Sequence, residues 1–389
     1  MFRLALAVTA LFLANACAGV MAQGMVAQDG REVARVRQTL QGIKLPPGFR
    51  IELYALVPGA RSLAVGPAGA VFVGTRGARV YVVKAGAVRV FAPSVRFRDP
   101  NGVCFSREGV LYVVEQNRVL SFLAPEEAEA RVGTVVPQGA LIPVSEQSSN
   151  HGARVCRVGP DDKLYVALGQ PYNVPPRTRL GLFSDWGIGG IVRMGRDGAN
   201  RYVFVRGIRN SVGMDFDPRS GDLWFTDNQV DGMGDDIPPG EINHATRAGQ
   251  NFGFPWYGGG HTRTKEYAGE TPPEGVVFPA VEEVAHAADL GMMFYRGTMV
   301  PAKYRGAIFS AQHGSWNRTT PVGARVMVTL ATPDGMATWS EPFAAGWLDE
   351  ATGTYSGRPV DVAALADGSL LVSDDDAGAI YRISYDGRR

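Results

Sequence analysis

The sequence contains few cysteines and few lysines. Its 389 residues include three cysteines, and only five of its 39 basic residues are lysines. No Cys-x-x-Cys-His motif occurs, which excludes covalent attachment of a c-type haem. Cys104 and Cys156 fall on predicted innermost strands of neighbouring repeats. Spacing alone does not decide between a disulfide and two buried thiols.

Long apolar runs are also scarce, and the one that stands out is at the start of the chain. Met1–Ala22 combines Arg3, an apolar segment and small residues before Gln23, as a secretory signal peptide does. We therefore expect a periplasmic or secreted protein. The run is too short to remain in a bilayer, and no later segment is a candidate span, so the protein is not expected to be membrane-embedded. Without Arg3 the acidic and basic residues balance, which argues against nucleic acid or an anionic membrane as the main partner.

A short strand of the form "turn, then Leu/Val-aromatic-Val" recurs six times. The copies are GPAGAVFVG (66–74), SREGVLYVV (106–114), GPDDKLYVAL (159–168), DPRSGDLWFTD (217–227), KYRGAIFSA (303–311) and LADGSLLVSD (365–374). Repeats of this kind cannot bury their faces alone and stack around an axis, with roughly 40–50 residues in a bare propeller blade. The repeats predict an all-β, six-bladed β-propeller with long loop insertions on one face.

The chain divides into three parts on this reading. Residues 1–22 are the signal peptide, residues 23–45 a polar leader with a possible helix over Arg31–Leu40, and residues 46–389 the propeller. A propeller ring is commonly closed by strands from both chain ends. FRIELYAL (49–56) and AIYRISY (379–385) are the candidates. The segments 170–200 and 229–300 are the large insertions, and long ordered insertions on one face usually build a binding site.

Polar residues precede each predicted innermost strand. The segments are ARS (60–62), RDPNG (98–102), SSNHG (148–152), GIRNS (207–211), HAADLG (286–291) and SGRPVD (356–361). In a six-fold ring these segments meet at one mouth. They would bring together Arg61, Asn101, His151, Arg209, Asn210, His286 and Arg358. Several arginines with a histidine indicate a planar anionic ligand and a base that accepts a hydroxyl proton near neutral pH.

The segment TDNQVDGMGDDIPPGEIN (226–243) is rich in oxygen ligands. Its spacing imitates an EF-hand loop, but Pro238 stands where the final glutamate is required and no helices flank it, so an EF-hand is excluded. A calcium site of another geometry and a solvated acidic loop both remain open.

Several motifs together resemble the soluble pyrroloquinoline quinone (PQQ)-dependent sugar dehydrogenases, in particular the sorbosone dehydrogenase-like subgroup. They are NHGARVCRVGPDDKLYVALGQ, IRNSVGMDFDPRSGDLWFTDN, GDDIPPGEINHATRAGQNFGFPW, AQHGSWNR and GRPVDVAALADGSLLVSDDDAGAIYRI, in order over about residues 45–385. The resemblance implies a propeller that holds PQQ and calcium at the mouth of its well. It also implies oxidation of a sugar hemiacetal or sugar aldehyde, with electrons passing to an external acceptor such as a periplasmic cytochrome or the quinone pool.

The resemblance assigns roles to individual residues. His151 matches the general base, and Arg209 and Asn210 match the pair beside the quinone carbonyls. Asn101 and Arg358 fall at cofactor-binding positions, and Arg318 or His313 replaces an expected lysine. Gln229 and Val230 are candidate ligands of the cofactor calcium, and Glu241 and the Phe252 carbonyl of a second, structural ion.

Two departures and two alternatives accompany the resemblance. The Gly-Pro expected at the calcium turn and the cofactor-binding lysine are both absent from this sequence. A calcium-dependent lactonase on a six-bladed propeller would need several acidic or amide ligands on the axis. A non-catalytic binding propeller would present an apolar top face without a His–Arg cluster.

Overall fold

The computed structural model describes residues 25–127, 130–332 and 337–387. The predicted signal peptide lies outside these residues. Neither helix in the described residues is long and apolar enough to cross a membrane.

Six antiparallel sheets form the body of the molecule. Blade 1 contains β3 (Leu63–Val65), β4 (Val71–Val73), β5 (Val80–Lys84) and β6 (Ala87–Phe91), with β1 (Met25–Val26) on its outer edge. Blade 2 contains β7 (Gly102–Phe105), β8 (Leu111–Glu115), β9 (Arg118–Leu123) and β10 (Arg131–Val136). Blade 3 contains β11 (Val155–Val158), β12 (Leu164–Leu168), β13 (Gly190–Met194) and β14 (Tyr202–Arg206), joined by the parallel β18 (Gln250–Asn251).

The other three blades follow the same plan. Blade 4 contains β15 (Met214–Phe216), β16 (Leu223–Asp227), β17 (Gly240–Ala245) and β21 (Val281–Glu283). Blade 5 contains β22 (Asp289–Phe294), β23 (Ile308–Gln312), β24 (Arg325–Ala331) and β25 (Ala337–Ala345). Blade 6 contains β28 (Pro359–Ala364), β29 (Leu370–Asp374), β30 (Ala379–Tyr385) and β2 (Phe49–Leu56). Two small hairpins complete the set, β19 (Tyr257–Gly259) with β20 (Thr262–Arg263) and β26 (Leu348–Asp349) with β27 (Thr354–Tyr355).

The first strands of the six blades contact one another in a closed ring: β3, β7, β11, β15, β22 and β28. This ring confirms the predicted six-bladed β-propeller. It also confirms the predicted closure, because β2 pairs antiparallel with β30, from Phe49 opposite Tyr385 to Leu56 opposite Ala379. The polar segments picked out in the sequence precede these first strands, so they meet at one face of the ring.

The core lies between the blades. Six hydrophobic clusters occupy the six interfaces between neighbouring blades. In β4, Val71 and Val73 pack towards blade 6 while Phe72 packs towards blade 2. Successive side chains of a strand point to opposite faces, and both faces of each blade are covered. That is why the repeated strands are almost continuously apolar.

A disulfide links the first strands of blades 2 and 3. Cys104 in β7 and Cys156 in β11 are bonded, with their Cα atoms 5.8 Å apart. The sequence left open a disulfide or two buried thiols, and the structure has the disulfide. Linking residues 52 positions apart restricts the unfolded chain and thereby favours the folded ring.

The N-terminal leader packs against the propeller. Helix α1 (Gly30–Leu40) confirms the expected helix and buries Val33, Val36 and Leu40 against blades 5 and 6. Further along, Lys44 forms an isolated bridge with Ala345.

The two long insertions are smaller than the sequence suggested. Residues 170–200 contain the regular strand β13 as well as helix α2 (Arg177–Trp186). Residues 229–300 likewise contain β17, β21 and β22. The added chain is therefore residues 169–189 and 246–280, which pack together: Arg177 of α2 donates a hydrogen bond to the carbonyl of Glu266, at 2.6 Å.

Candidate active site

A polar cleft of about 320 Å³ lies at the face where the segments before the first strands meet. Its walls are formed by loops that belong to four of the six blades, namely blades 1, 3, 4 and 5. Of the residues singled out in the sequence, it is lined by Arg61, His151, Arg209, Asn210, Gln229, His286 and His313. Arg76, Asn228, Asp231, Trp316 and Asn317 join them. The expected convergence is therefore present for this set.

His151 is held as a neutral imidazole with a defined tautomer. Its Nδ1 lies 2.6 Å from the carbonyl oxygen of Gln170, and because a carbonyl only accepts, Nδ1 carries the proton. Nε2 has no hydrogen-bond partner in the part of the chain that the structure describes, so its lone pair is available. Burial, together with the charges of Arg209 and Arg154, lowers the pKa of His151 to about 3. This imidazole is therefore unprotonated throughout the neutral range.

The backbone at His151 is strained, and neighbouring groups hold it in place. His151 has a φ of +52°, a left-handed conformation that favours glycine. The guanidinium of Arg154 donates to the carbonyls of His151 and Gly169, each at 2.9 Å, and to the Gln116 carbonyl at 3.2 Å. Gly169 itself must be glycine, since a Cβ there would lie 2.8 Å from the His151 carbonyl oxygen.

The sequence did not single out Arg154. Its side chain is almost completely buried, and it forms no ion pair with any described residue. Burial lowers its pKa to about 10, so it stays protonated. One arginine among many carries no signal by itself. Its position three residues after His151, next to a first strand, was the one available hint.

Arg209 lies in the wall of the cleft and is fixed by four hydrogen bonds. Its Nε donates to the Asn173 carbonyl, its Nη1 to the Asn228 carbonyl, and its Nη2 to Asn173 Oδ1 and Asp231 Oδ2. Burial lowers its pKa, and the charges of Asp231 and Asp227 oppose that shift. The backbone N–H groups of Arg209 and Asn210 both donate to the Asp227 carboxylate, at 2.8 and 2.6 Å. The Arg-Asn pair is thus rigidly held before any ligand arrives.

A second imidazole lines the cleft. His313 Nε2 donates to Asp375 at 2.8 Å, and the other oxygen of Asp375 accepts from Arg61. Although burial acts to raise it, the hydrogen bond from His313 and the charge of Arg61 hold the pKa of Asp375 well below its usual range. Burial lowers the pKa of His313 itself, against the effect of Asp375. The sequence offered His313 as a replacement for a cofactor-binding lysine, and the structure does place it at the cleft.

Three predicted cofactor-binding residues do not line the cleft. Asn101 is fully buried behind Arg61, bonded to its Nε and to the Arg154 carbonyl. Arg358 donates to the carbonyls of residues 313, 314 and 315 and supports that turn from behind. Arg318 is engaged by the carbonyls of Asp235 and Ala285. In this structure each of the three stabilises the wall of the site.

His286 lines the cleft, but both of its ring nitrogens are engaged in hydrogen bonds with the protein. Its Nε2 donates to the Gly234 carbonyl at 2.8 Å, and its Nδ1 accepts from Gln229 and Asn317. Both ring nitrogens are thereby satisfied. His286 therefore lacks a free lone pair for proton transfer, in contrast to His151.

A small void of about 10 Å³ lies beneath the cleft and matches most of the predicted metal ligands. It is lined by Arg209, Asp227, Gln229, Glu241, Phe252, Phe254, Tyr257, Gly258 and Gly259. Val230 does not line it; its N–H donates to the Gly258 carbonyl at 2.7 Å. Asp227, directly opposite Glu241 in the β16–β17 ladder, is a lining carboxylate that the sequence reading left out of the metal site.

The void has the features of a site for one cation. Burial raises the pKa of Asp227 and of Glu241, and the charge of Asp227 raises that of Glu241 further. Gln229 Oε1 is buried without a hydrogen-bond partner. Two carboxylates, an amide oxygen and nearby carbonyls form the oxygen set that calcium prefers. No cluster of three or more His, Cys, Asp or Glu side chains suited to a metal occurs within residues 25–127, 130–332 and 337–387.

Part of the chain matches a known protein family. Residues 135–315, which include His151, Arg209, Gln229 and Glu241, match the model of the glucose/sorbosone dehydrogenase family. The match confirms the resemblance to the sugar dehydrogenases. An uncharacterized protein from Borreliella burgdorferi is 29% identical over 363 residues, covering 88% of this chain and 91% of its own.

Solved structures of sugar dehydrogenases and related enzymes share the fold. An AA12 carbohydrate-active enzyme from Trichoderma reesei superposes with a TM-score of 0.73 at 20% identity, over 89% of this chain and 98% of its own. The PQQ domain of pyranose dehydrogenase from Coprinopsis cinerea gives 0.71 at 19% identity, over 88% and 97%. A PQQ-bound aldose sugar dehydrogenase from Streptomyces coelicolor gives 0.58 at 18% identity, over 88% and 100%.

Proposed function

We propose that this protein is a PQQ-dependent dehydrogenase that oxidises the hemiacetal carbon of an aldose, or a sugar aldehyde of the sorbosone type, to a lactone or acid. The observation that carries the proposal is the free Nε2 of a neutral His151 in a cleft that Arg61, Arg76 and Arg209 also line. A base and several cations at one site suit removal of a hydroxyl proton beside an anionic cofactor.

The cleft residues fit PQQ, and each has a definite task. PQQ, when bound, supplies an ortho-quinone that accepts a hydride, and its three carboxylates suit an arginine-lined wall. His151 Nε2 takes the hydroxyl proton of the substrate, while Nδ1 stays fixed on the Gln170 carbonyl. Arg209 would supply positive charge beside the bound quinone and so favour negative charge there. Trp316, exposed at the cleft, offers a flat apolar surface for a sugar ring.

The void formed by Asp227, Gln229, Glu241 and Phe252 would hold calcium. Asp227 and Glu241 would be neutralised by such an ion, and the end of the β16–β17 ladder, where Asp227 holds the backbone of Arg209 and Asn210, would be fixed. In addition, the segment before residue 23 suggests export, so the reaction would take place in the periplasm or outside the cell, with an external electron acceptor.

Reconstitution tests the proposal. The purified protein would be incubated with PQQ and calcium, and reduction of a small neutral dye followed with a panel of aldoses and sugar aldehydes. We expect turnover with at least one of them. His151→Ala should still bind PQQ in a spectroscopic titration but lose turnover by about 10²-fold or more, since a positioned base contributes that much. Arg209→Ala should weaken both PQQ binding and rate.

A matched control is available in His261, whose side chain is 71% exposed and stacks on Phe278 outside the cleft. His261→Ala should leave turnover unchanged. Near-wild-type turnover of His151→Ala would remove the base assignment. Absence of PQQ binding, together with calcium-dependent hydrolysis of sugar lactones, would favour a lactonase instead.

A further inference from the structure

A basic groove adjoins the mouth of the cleft. Two open depressions of about 420 and 700 Å³ lie side by side, the first between blades 6 and 1 and the second between blade 1 and the segment that leads to blade 2. The first is lined by Arg76 and Arg79, the second by Arg79, Arg96 and Arg98, so that Arg79 belongs to both. We call these four residues the arginine groove. The first depression also shares Arg61 and Arg76 with the cleft, which makes the groove continuous with the candidate active site.

The arginine groove carries a net positive charge, and Asp99 is close enough to Arg76 for the two charges to interact. All four side chains are exposed, and none of them forms an ion pair within the described part of the chain. Arg76 makes a hydrogen bond to the Ser149 carbonyl, which is neutral. Asp375 is the one acidic residue lining either depression, and it is already engaged by Arg61 and His313. Four such charges on one rim stand out in a chain whose formal net charge is +1.

Electrons left in the cleft need a route out of the protein. The sequence has no haem-attachment motif, and Cys104 and Cys156 are joined in a disulfide. A one-centre dehydrogenase must therefore hand its electrons to a partner that approaches the cleft. Any molecule seated in the arginine groove lies next to the cleft mouth, because Arg61 and Arg76 border both.

We infer that the arginine groove docks an acidic electron-carrier protein that re-oxidises the enzyme, an inference that rests on the proposed function. Exposed, unpaired guanidinium groups spread over two open depressions attract a large anionic surface and raise its association rate. A small anionic sugar would instead be bound by buried, oriented donors. A polyanionic saccharide is the competing occupant that the experiment must distinguish.

The experiment uses the reconstituted enzyme with two carriers of opposite charge, acidic plastocyanin and basic cytochrome c, and with a small neutral dye. The variant is Arg79→Glu/Arg96→Glu. The control is Arg107→Glu/Arg247→Glu, two exposed arginines on turns at the other ends of β7 and β17, on the opposite face of the ring. Binding of plastocyanin to the cofactor-free protein would also be measured by calorimetry, which does not depend on turnover.

We expect the groove variant to lose about tenfold or more in kcat/KM for plastocyanin at low ionic strength, and salt to remove most of the difference. Dye reduction should be unchanged, and the control pair should behave as wild type. Equal losses in the groove and control variants, or no loss in either, would overturn the inference. So would binding of oligogalacturonate that requires Arg79 and Arg96 while plastocyanin does not bind. Failure of the dye assay itself would count against the proposed function, and the calorimetric result would still decide the docking surface.

Discussion

At the scale of single residues, the reactivity of His151 is set by its neighbours. The Gln170 carbonyl fixes the proton on Nδ1, and buried positive charges disfavour a second proton. Because the pKa is lowered to about 3, His151 is unprotonated at neutral pH and remains so well into the acid range. Loss of base function through protonation of this residue is therefore not expected between about pH 5 and 8.

Arg154 is expected to act as a positioning residue for His151. Replacing Arg154 with Met removes three hydrogen bonds and a buried charge that helps to lower the pKa of His151. We expect kcat to fall about 10- to 100-fold, as misplacement of a catalytic group does. We also expect the acid limb of the pH–rate profile to move to higher pH.

The conservative variant separates positioning from general stability. Arg154→Lys keeps the charge, so its acid limb should stay near that of the wild type even if kcat falls. The pH dependence of kcat and the melting temperature would be measured for both variants. A lower melting temperature in Arg154→Met with an unmoved acid limb would show that Arg154 serves the fold alone.

At the scale of secondary-structure elements, the end of the β16–β17 ladder connects the fold to the site. Asp227, the last residue of β16, accepts hydrogen bonds from the backbone of Arg209 and Asn210 and lies opposite Glu241, near the start of β17. Both carboxyl pKa values are raised by burial. Without a cation, the folded state binds protons more strongly than the unfolded chain does, so stability falls as pH rises above the usual carboxyl range.

Calcium should reverse this pH dependence. Metal ligation requires deprotonated carboxylates, so calcium should bind more tightly as pH rises and release protons when it binds. Calcium at a free concentration 100 times its dissociation constant should raise the free energy of unfolding by about 2.7 kcal/mol. Denaturant unfolding at several pH values with calcium or a chelator would measure this effect.

Matched variants make the calcium prediction specific. Glu241→Gln should lose most of the calcium-dependent stabilisation, whereas Glu274→Gln, at an exposed position, should keep it. If calcium stabilises Glu241→Gln as strongly as the wild type, then the void beneath the cleft is not the binding site.

The sequence predicted the blades because their signal is local and repeated. A strand whose two faces are both covered reads as a short apolar run, as in Val71–Val73, and turns separate the copies. The position of His151 was also predictable, because it follows from the register of the repeats.

Whether a residue at the expected register lines the cleft depends on side-chain packing that register does not specify. Asn101, Arg318 and Arg358 occupy the expected segments. Their side chains, however, form hydrogen bonds with backbone carbonyls and with neighbouring side chains behind the cleft wall. Arg154 was missed for the converse reason: its guanidinium reaches a carbonyl of another loop, at Gly169, from a position that looks like part of an ordinary strand entry.

At the scale of the whole molecule, the ring is held shut by a single seam between distant parts of the chain. Blade 6 contains β2 from the N-terminal part of the chain and β30 from the C-terminal part. The β2–β30 pairing therefore joins residues more than 300 positions apart. The other blades consist mainly of strands that follow one another along the chain. Opening of this seam would expose two strand edges and leave blade 6 without its outer strand.

A cross-link at the seam should therefore stabilise the molecule more than one inside a blade. Arg50 and Ser384 are direct partners in the β2–β30 ladder, and Arg50→Cys/Ser384→Cys would close a loop spanning 334 positions. The loop-closure relation gives about 6 kcal/mol for such a loop and about 2 kcal/mol for the Lys84→Cys/Ala87→Cys hairpin, whose residues are also partners. Guanidinium unfolding of the oxidised and reduced forms would be compared. A covalent bond has its largest effect where the structure opens first. Equal stabilisation by the two cross-links would therefore mean that unfolding does not begin at the β2–β30 seam.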